Sequence, residues 1–145
     1  MDFRTESVVD LAAQVRSGTR TAAELVDHAL GAIASHNPTI NAFVAVDEAR
    51  ARASANAVDA KVAAGQDPGP LAGIPIGVKD LEDAVGYVTT HGAAAYAGNP
   101  PATADSSLVA RLVAAGCVVV GKTNTPELGW KPDTCLLYTS DAADE

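Results

Sequence analysis

The chain has 145 residues, 48% of them hydrophobic and only 4% aromatic, with a formal net charge of −8. That length suits one domain of ordinary size. The acidity argues against nucleic acid as the main partner, because phosphate binding needs a basic face. No window holds the ~18 apolar residues of a membrane span, and the N-terminus MDFRTESVVDL carries acids where a signal peptide has basic residues. The two cysteines, Cys117 and Cys135, form neither a disulfide framework nor a zinc spacing. The expectation is a soluble, cytoplasmic chain without a metal site.

Helix signals come first along the chain. From Thr5 to Ser17, Val8, Val9, Leu11, Ala12 and Val15 recur at helical spacing, and Gly18 supplies a stop. Thr21-Ala-Ala-Glu24 reads as a capping box. It opens a second helix with an apolar face of Leu25, Val26, Ala29, Leu30 and Ile33, which Asn37-Pro38 is expected to end. Ala42 to Val46 is a short strand. Asp47 begins an Ala-rich helix running to about Ala64, and Gln66 to Gly73 is a loop.

Ile74-Pro-Ile-Gly-Val-Lys79 then has the period of a strand, with Ile74, Ile76 and Val78 on one face and Pro75, Gly77 and Lys79 on the other. A loop of more than 20 residues comes next, punctuated by Gly86, Gly92, Gly98, Pro100 and Pro101. Loops of that length inside a compact domain are often functional. Thr103 or Asp105 is expected to cap a helix carrying Leu108, Val109, Leu112 and Val113, closed by Gly116. Cys117 to Val120 is a fully apolar run, hence a buried strand with Cys117 in the core. Strand, crossover helix and strand make a βαβ unit with a parallel pair. Thr125-Pro126-Glu127 looks like a further helix start.

Gly116 to Thr123 matches the phosphate-loop pattern G-x-x-x-x-G-K-[ST] letter for letter. A phosphate loop must turn its backbone N–H groups inward around an anion. Here the variable positions are Cys117, Val118, Val119 and Val120. Consecutive valines favour extended geometry, which commits those N–H groups to a sheet ladder. The reading preferred is a strand flanked by glycines. A noncatalytic phosphate- or small-molecule-binding module around Gly121-Lys122-Thr123 is the rival from another class.

Lys79 is the stronger chemical candidate. It ends a strand on the face carrying only Gly77 and Pro75, so space is expected beside it, and sites in open α/β sheets gather at the carboxyl ends of strands. The alternative is a surface lysine paired with Asp80, Glu82 or Asp83. Lys122 reads equally as a solvated or loop-pairing charge and as a substrate contact. His91 sits in the long loop, where it either lines a pocket or is incidental.

Gly73-Ile-Pro-Ile-Gly-Val-Lys79-Asp80, Thr89-Thr-His-Gly92 and Val118-Val-Val-Gly-Lys-Thr-Asn-Thr-Pro-Glu-Leu-Gly129 together resemble the amidase signature family. The N-terminal helices, with His36-Asn37-Pro38 and Asn41-Ala-Phe43, look like that family's entry segment. The resemblance covers about residues 7 to 134 and implies an α/β fold, a mixed sheet surrounded by helices, present here in truncated form. It implies hydrolysis of a carboxylic amide C–N bond in a small-molecule substrate, by a nucleophilic serine, a bridging serine in a cis peptide, and a lysine. By the motif match the lysine is Lys79. A lysine works as a base only when neutral. At its ordinary pKa of about 10.4, only ~0.04% is neutral at pH 7, a deficit of roughly 4.6 kcal/mol that burial must offset; a carboxylate at Asp80, if close, opposes this. The Thr125-Pro-Glu-Leu-Gly129 wording resembles general amidases more than the amidase-like subunit of the tRNA-dependent amidotransferases, which is the close rival.

The serines of that family lie in a Gly/Ser-rich block, which this chain lacks. Ser106-Ser107 sits at a helix start, where capping is its natural role. Residues 1–134 therefore read as the N-terminal part of an amidase domain, and 135–145, Cys-Leu-Leu-Tyr-Thr-Ser-Asp-Ala-Ala-Asp-Glu, as a non-native run derived from a sequencing adapter. Three of the 18 acidic residues fall in that run, leaving 15 against 10 basic ones and a net charge of −5. A sheet lacking its flanking strands exposes apolar edges, so the isolated chain is expected to be poorly folded or aggregation-prone, and a cooperative thermal transition from a soluble monomer would contradict that. Calorimetric titration with a nucleoside triphosphate should give no binding heat; saturable heat would instead support the phosphate-loop reading.

Overall fold

A computed structural model describes residues 3–130. The run expected to be non-native, 135–145, lies outside the described residues. The elements in chain order are α1 (Val8–Arg16), α2 (Ala22–Ile40), β1 (Phe43–Val46), α3 (Glu48–Ala63), β2 (Pro75–Lys79), α4 (Ser107–Ala114) and β3 (Val118–Thr123). Two short 3₁₀ turns, Ala94–Tyr96 and Glu127–Gly129, lie in the connections. No helix among the described residues is long and apolar enough to cross a membrane.

The capping box forms as expected. The Thr21 hydroxyl accepts from Glu24 N at 3.1 Å, and the Glu24 carboxylate accepts from Thr21 N at 2.9 Å. Two further N–H groups of α2 are satisfied from a distance, because Asp59 of α3 accepts from Ala22 N at 2.7 Å and Ala23 N at 3.1 Å. Sequence spacing could not announce that cap, since its carboxylate comes from another helix.

Pro38 does not end α2, which runs on to Ile40. Proline removes one helical hydrogen bond, the one to the carbonyl of Ala34, and Ala34 is exposed, so water can satisfy that oxygen. The last turn is held instead by Asn37, whose side chain accepts from Phe43 N at 2.7 Å and donates to Phe43 O at 2.9 Å. Asn41, left-handed at φ 45°, closes the helix. Of the caps expected for α4, neither Thr103 nor Asp105 serves. Ser106 caps it, while Asp105 accepts from Val85 N at 2.8 Å and so closes the base of the long loop. Thr125-Pro126 leads only into a 3₁₀ turn.

The three strands form one mixed sheet in the order β1-β3-β2, with β1 antiparallel and β2 parallel to β3. The β2–α4–β3 segment is thus the expected βαβ unit. One sheet face, carrying Ile74, Val118 and Val120, packs on Leu11 and Val15 of α1, Leu25, Val26 and Leu30 of α2, and Ala51 and Ala55 of α3. The other carries Val78, Val119 and Ala45 against Val109 of α4 and the loop residues Ala84 and Tyr87.

The register of this sheet decides which way Lys122 points. Ile76 faces Val119, but Gly77 faces Gly121, so Val120 is passed over. A one-residue slip flips the faces of everything beyond it. Strict alternation would put Lys122 with Val118 and Val120, against the three helices. The slip turns it to the side of Val78, its register partner. Gly121 makes this possible, since a Cβ there would lie 2.4 Å from the Ala45 carbonyl oxygen and 3.0 Å from the Phe43 ring. Gly121→Ala should lower stability by about 1–3 kcal/mol, read by urea denaturation of a soluble protein containing this segment; an unchanged midpoint would mean that β1 yields without cost.

Candidate active site

Lys79 and Asp80 are neighbours at the carboxyl end of β2, and successive strand residues point to opposite faces. Lys79 is exposed, while Asp80 is 1% exposed. Among the described residues Lys79 has no ion-pair or hydrogen-bond partner for its ammonium, and neither Glu82 nor Asp83 pairs with it. Its register partner is Thr123. On the face of β2 that Lys79 was expected to share, Pro75 and Gly77 line a cavity together with Phe43, Leu11 and Ile33, and a Cβ at Gly77 would stand 2.6 Å from the Thr123 methyl and 3.2 Å from the Phe43 ring. Phe43 and Thr123 therefore crowd Gly77, two residues before the exposed Lys79.

Asp80 does not turn to Lys79 either. Its carboxylate meets the ammonium of Lys122 at 3.1 Å, with the two side chains 2% and 0% exposed. It also accepts from the backbone N–H of Thr90 at 3.2 Å and from the Thr90 hydroxyl. Lys122 donates in addition to the Glu82 carbonyl at 2.8 Å and the Thr89 hydroxyl at 2.9 Å. An ammonium has three protons to donate, and these three acceptors account for them. Lys122 is thus a loop-pairing charge, though buried rather than solvated. The phosphate-loop rival loses its geometry here. Val118–Thr123 is one strand, and the lysine that should reach a phosphate is enclosed by protein acceptors.

The carboxyl ends of β2 and β3 open on a cleft lined by Asn41, Phe43, Asp80, Thr90, Ala93 and Asn124. Asn124 ties its rim, donating from its side chain to Asn41 O at 3.2 Å and from its backbone to Ala42 O at 2.8 Å. His91 lies beyond it, left-handed at φ 54°, edge-on to Tyr96 at 5.4 Å, in a separate shallow pocket with Asp83 and Thr89. The structure does not bring His91 to Lys79. Ser106 is occupied as the cap of α4, and Cys117 is core, its thiol pushed upward in pKa by burial. From the sequence Asp80 is a partner for Lys79 rather than for Lys122, and Thr89 and Thr90 have no structural role. The available signal was an acid directly after Lys79 within a motif block, together with the paired threonines.

Known proteins resemble this chain in sequence and fold. The Amidase family model matches residues 24–137, which include Lys79, the long loop and β3. The chain belongs to the amidase family. It is 47% identical over 131 residues to AmiA2 of Mycobacterium tuberculosis, a protein named as a putative amidase, covering 90% of this chain and 26% of that one. It is 42% identical over 134 residues to a subunit of the glutamyl-tRNA(Gln) amidotransferase of Salinispora arenicola, covering 92% and 27%. Among solved structures, the native peptide amidase of Stenotrophomonas maltophilia superposes with a TM-score of 0.79 at 34% identity, over 86% of this chain and 26% of that one. The chain spans about a quarter of the length of the curated relatives it matches. The amidase-family sheet accordingly appears here as three strands of mixed direction with helices on both faces.

Removing one member of a buried ion pair strands the other charge. Lys122→Met should therefore cost about 3–5 kcal/mol, read as a lowered urea midpoint in a full-length relative carrying both residues. A midpoint within experimental error of wild type would mean that Asp80 finds water or another donor.

Proposed function

We propose that Lys79 is the general base of an amide hydrolase whose nucleophilic and bridging serines lie on chain beyond the described residues. The observation that carries this reading is the placement of Lys79. Within a segment matched to the amidase family, one lysine at the carboxyl end of a strand is left unpaired among the described residues, while the neighbouring carboxylate is fully engaged elsewhere. An unpaired amine at such a site is available to a partner brought by another segment. Its opposite, a lysine locked to Asp80, would be held in the charged form and unable to accept a proton.

In this reading Lys79 accepts the proton of the bridging serine, which accepts that of the nucleophilic serine. The nucleophile's oxygen attacks the amide carbonyl carbon, the C–N bond breaks, and the amine departs carrying the proton. Water then cleaves the ester formed on the serine, releasing the carboxylic acid. The covering segment must also exclude water from Lys79, because a neutral amine is favoured by a dry surrounding. The substrate is a small carboxylic amide. No serine among the described residues is hydrogen-bonded to Lys79, so this segment alone is expected not to turn over.

The likeness to an amidotransferase component favours a second reading on the same site. There the ammonia set free is passed to an aminoacyl-tRNA with the help of partner subunits. Co-purification with such subunits supports it, and a freestanding enzyme that releases ammonia supports the hydrolase.

Lys79→Ala in a full-length relative should lower kcat by at least ~10³-fold with the fold intact, because removing a triad member leaves only binding and oxyanion stabilisation. Turnover within tenfold of wild type, measured as ammonia release, would sink the assignment.

A further inference from the structure

Lys79 is the last residue of β2. A strand end has no further ladder to hold it, yet a base must be held to within about half an ångström of its partner. Immediately past Lys79 the backbone is pinned twice. Asp80 N donates to Thr123 O at 2.9 Å, and the Asp80 side chain is fixed by Lys122 and by two donors of Thr90. Lys122 in turn reaches Glu82 and Thr89. One buried cluster therefore joins the ends of β2 and β3 to both the start and the middle of the long loop.

We propose that the Asp80–Lys122 pair is a positioning device for Lys79, which rests on the reading of Lys79 as the base. Because the directions of residues 79 and 80 are opposed by the pleat, fixing Asp80 on one face fixes the departure of Lys79 on the other. Lys122 has no exposed side-chain surface, so it cannot touch substrate, and any effect it has on turnover passes through other groups. Stability alone is a weak account of the pair, since a well-packed apolar pair of similar volume is often as stable. What an apolar pair lacks is direction. The carboxylate and ammonium accept only one arrangement of their hydrogen bonds, and that arrangement fixes residue 80 in rotation as well as in place.

The test uses a full-length amidase relative carrying these residues. The neutral double variant Asp80→Asn/Lys122→Met removes both charges together, and Thr90→Val removes one hydroxyl from the cluster. For the double variant a fall in kcat of about tenfold or more is expected, with KM within twofold and circular dichroism unchanged. Thr90→Val should lower kcat less, and Thr90→Ser should restore it to within twofold of wild type. Wild-type kcat in a folded double variant overturns the proposal. So does wild-type kcat in Thr90→Val, which decides alone if the double variant does not fold. Lys79→Ala run in parallel separates the two claims. If it retains turnover, the base assignment fails and the positioning role fails with it. If it is inactive while the cluster variants keep wild-type kcat, only the positioning role fails.

Discussion

A salt bridge out of reach of water fixes the end of this sheet. Asp80 lies just past β2 and Lys122 within neighbouring β3, and each is almost wholly enclosed. Taking two charges out of water is costly, and the cost is offset only when geometry and hydrogen bonding are complete. Here both partners have further bonds, to Thr89, Thr90 and the Glu82 carbonyl. The long loop after β2 is thereby tied down near its beginning and again ten residues later. Its base is closed separately, by Gly86 N to Ala102 O and Ala102 N to Tyr87 O, at 2.9 and 2.8 Å. A stretch with little regular secondary structure is thus ordered by a few directional contacts.

The pair depends on the sheet register, and the register depends on a residue with no side chain. Without the slip that passes over Val120, Lys122 would point into the apolar layer of α1, α2 and α3. Gly121 lets the β1 backbone approach where the slip occurs. The residues that satisfy a phosphate-loop pattern on paper, Gly121 and Lys122, therefore serve the sheet: one as a point of close approach and the other as a buried cation. A pattern of letters cannot separate these uses, because the difference lies in whether the intervening N–H groups turn inward or join a ladder.

Much of the fold was legible because its signals are local. The capping box at Thr21, the apolar face of α2 and the Asp47 cap of α3 each depend on residues within one or two turns of one another. The misreadings share a different cause. Pro38 carries the usual signature of a helix stop, but the helix runs past it, with Asn37 tethered twice to the Phe43 backbone. Asp105 looked like a cap and is used instead across the loop, leaving Ser106 to begin α4. Ile74 and Val78 read as one strand face and pack instead on opposite sides of the sheet.

The sequence by itself determined the family, the order of helices and strands, and the lysine at the end of β2, because motif blocks and periodicity are properties of short stretches. Only the tertiary structure decided the fate of the charges around that lysine. Asp80 and Lys122 are 42 positions apart and meet through a parallel pairing whose register is shifted by one residue. Which face a strand residue takes changes with a single-residue slip, and a slip is set by the packing of three strands together rather than by the letters of any one.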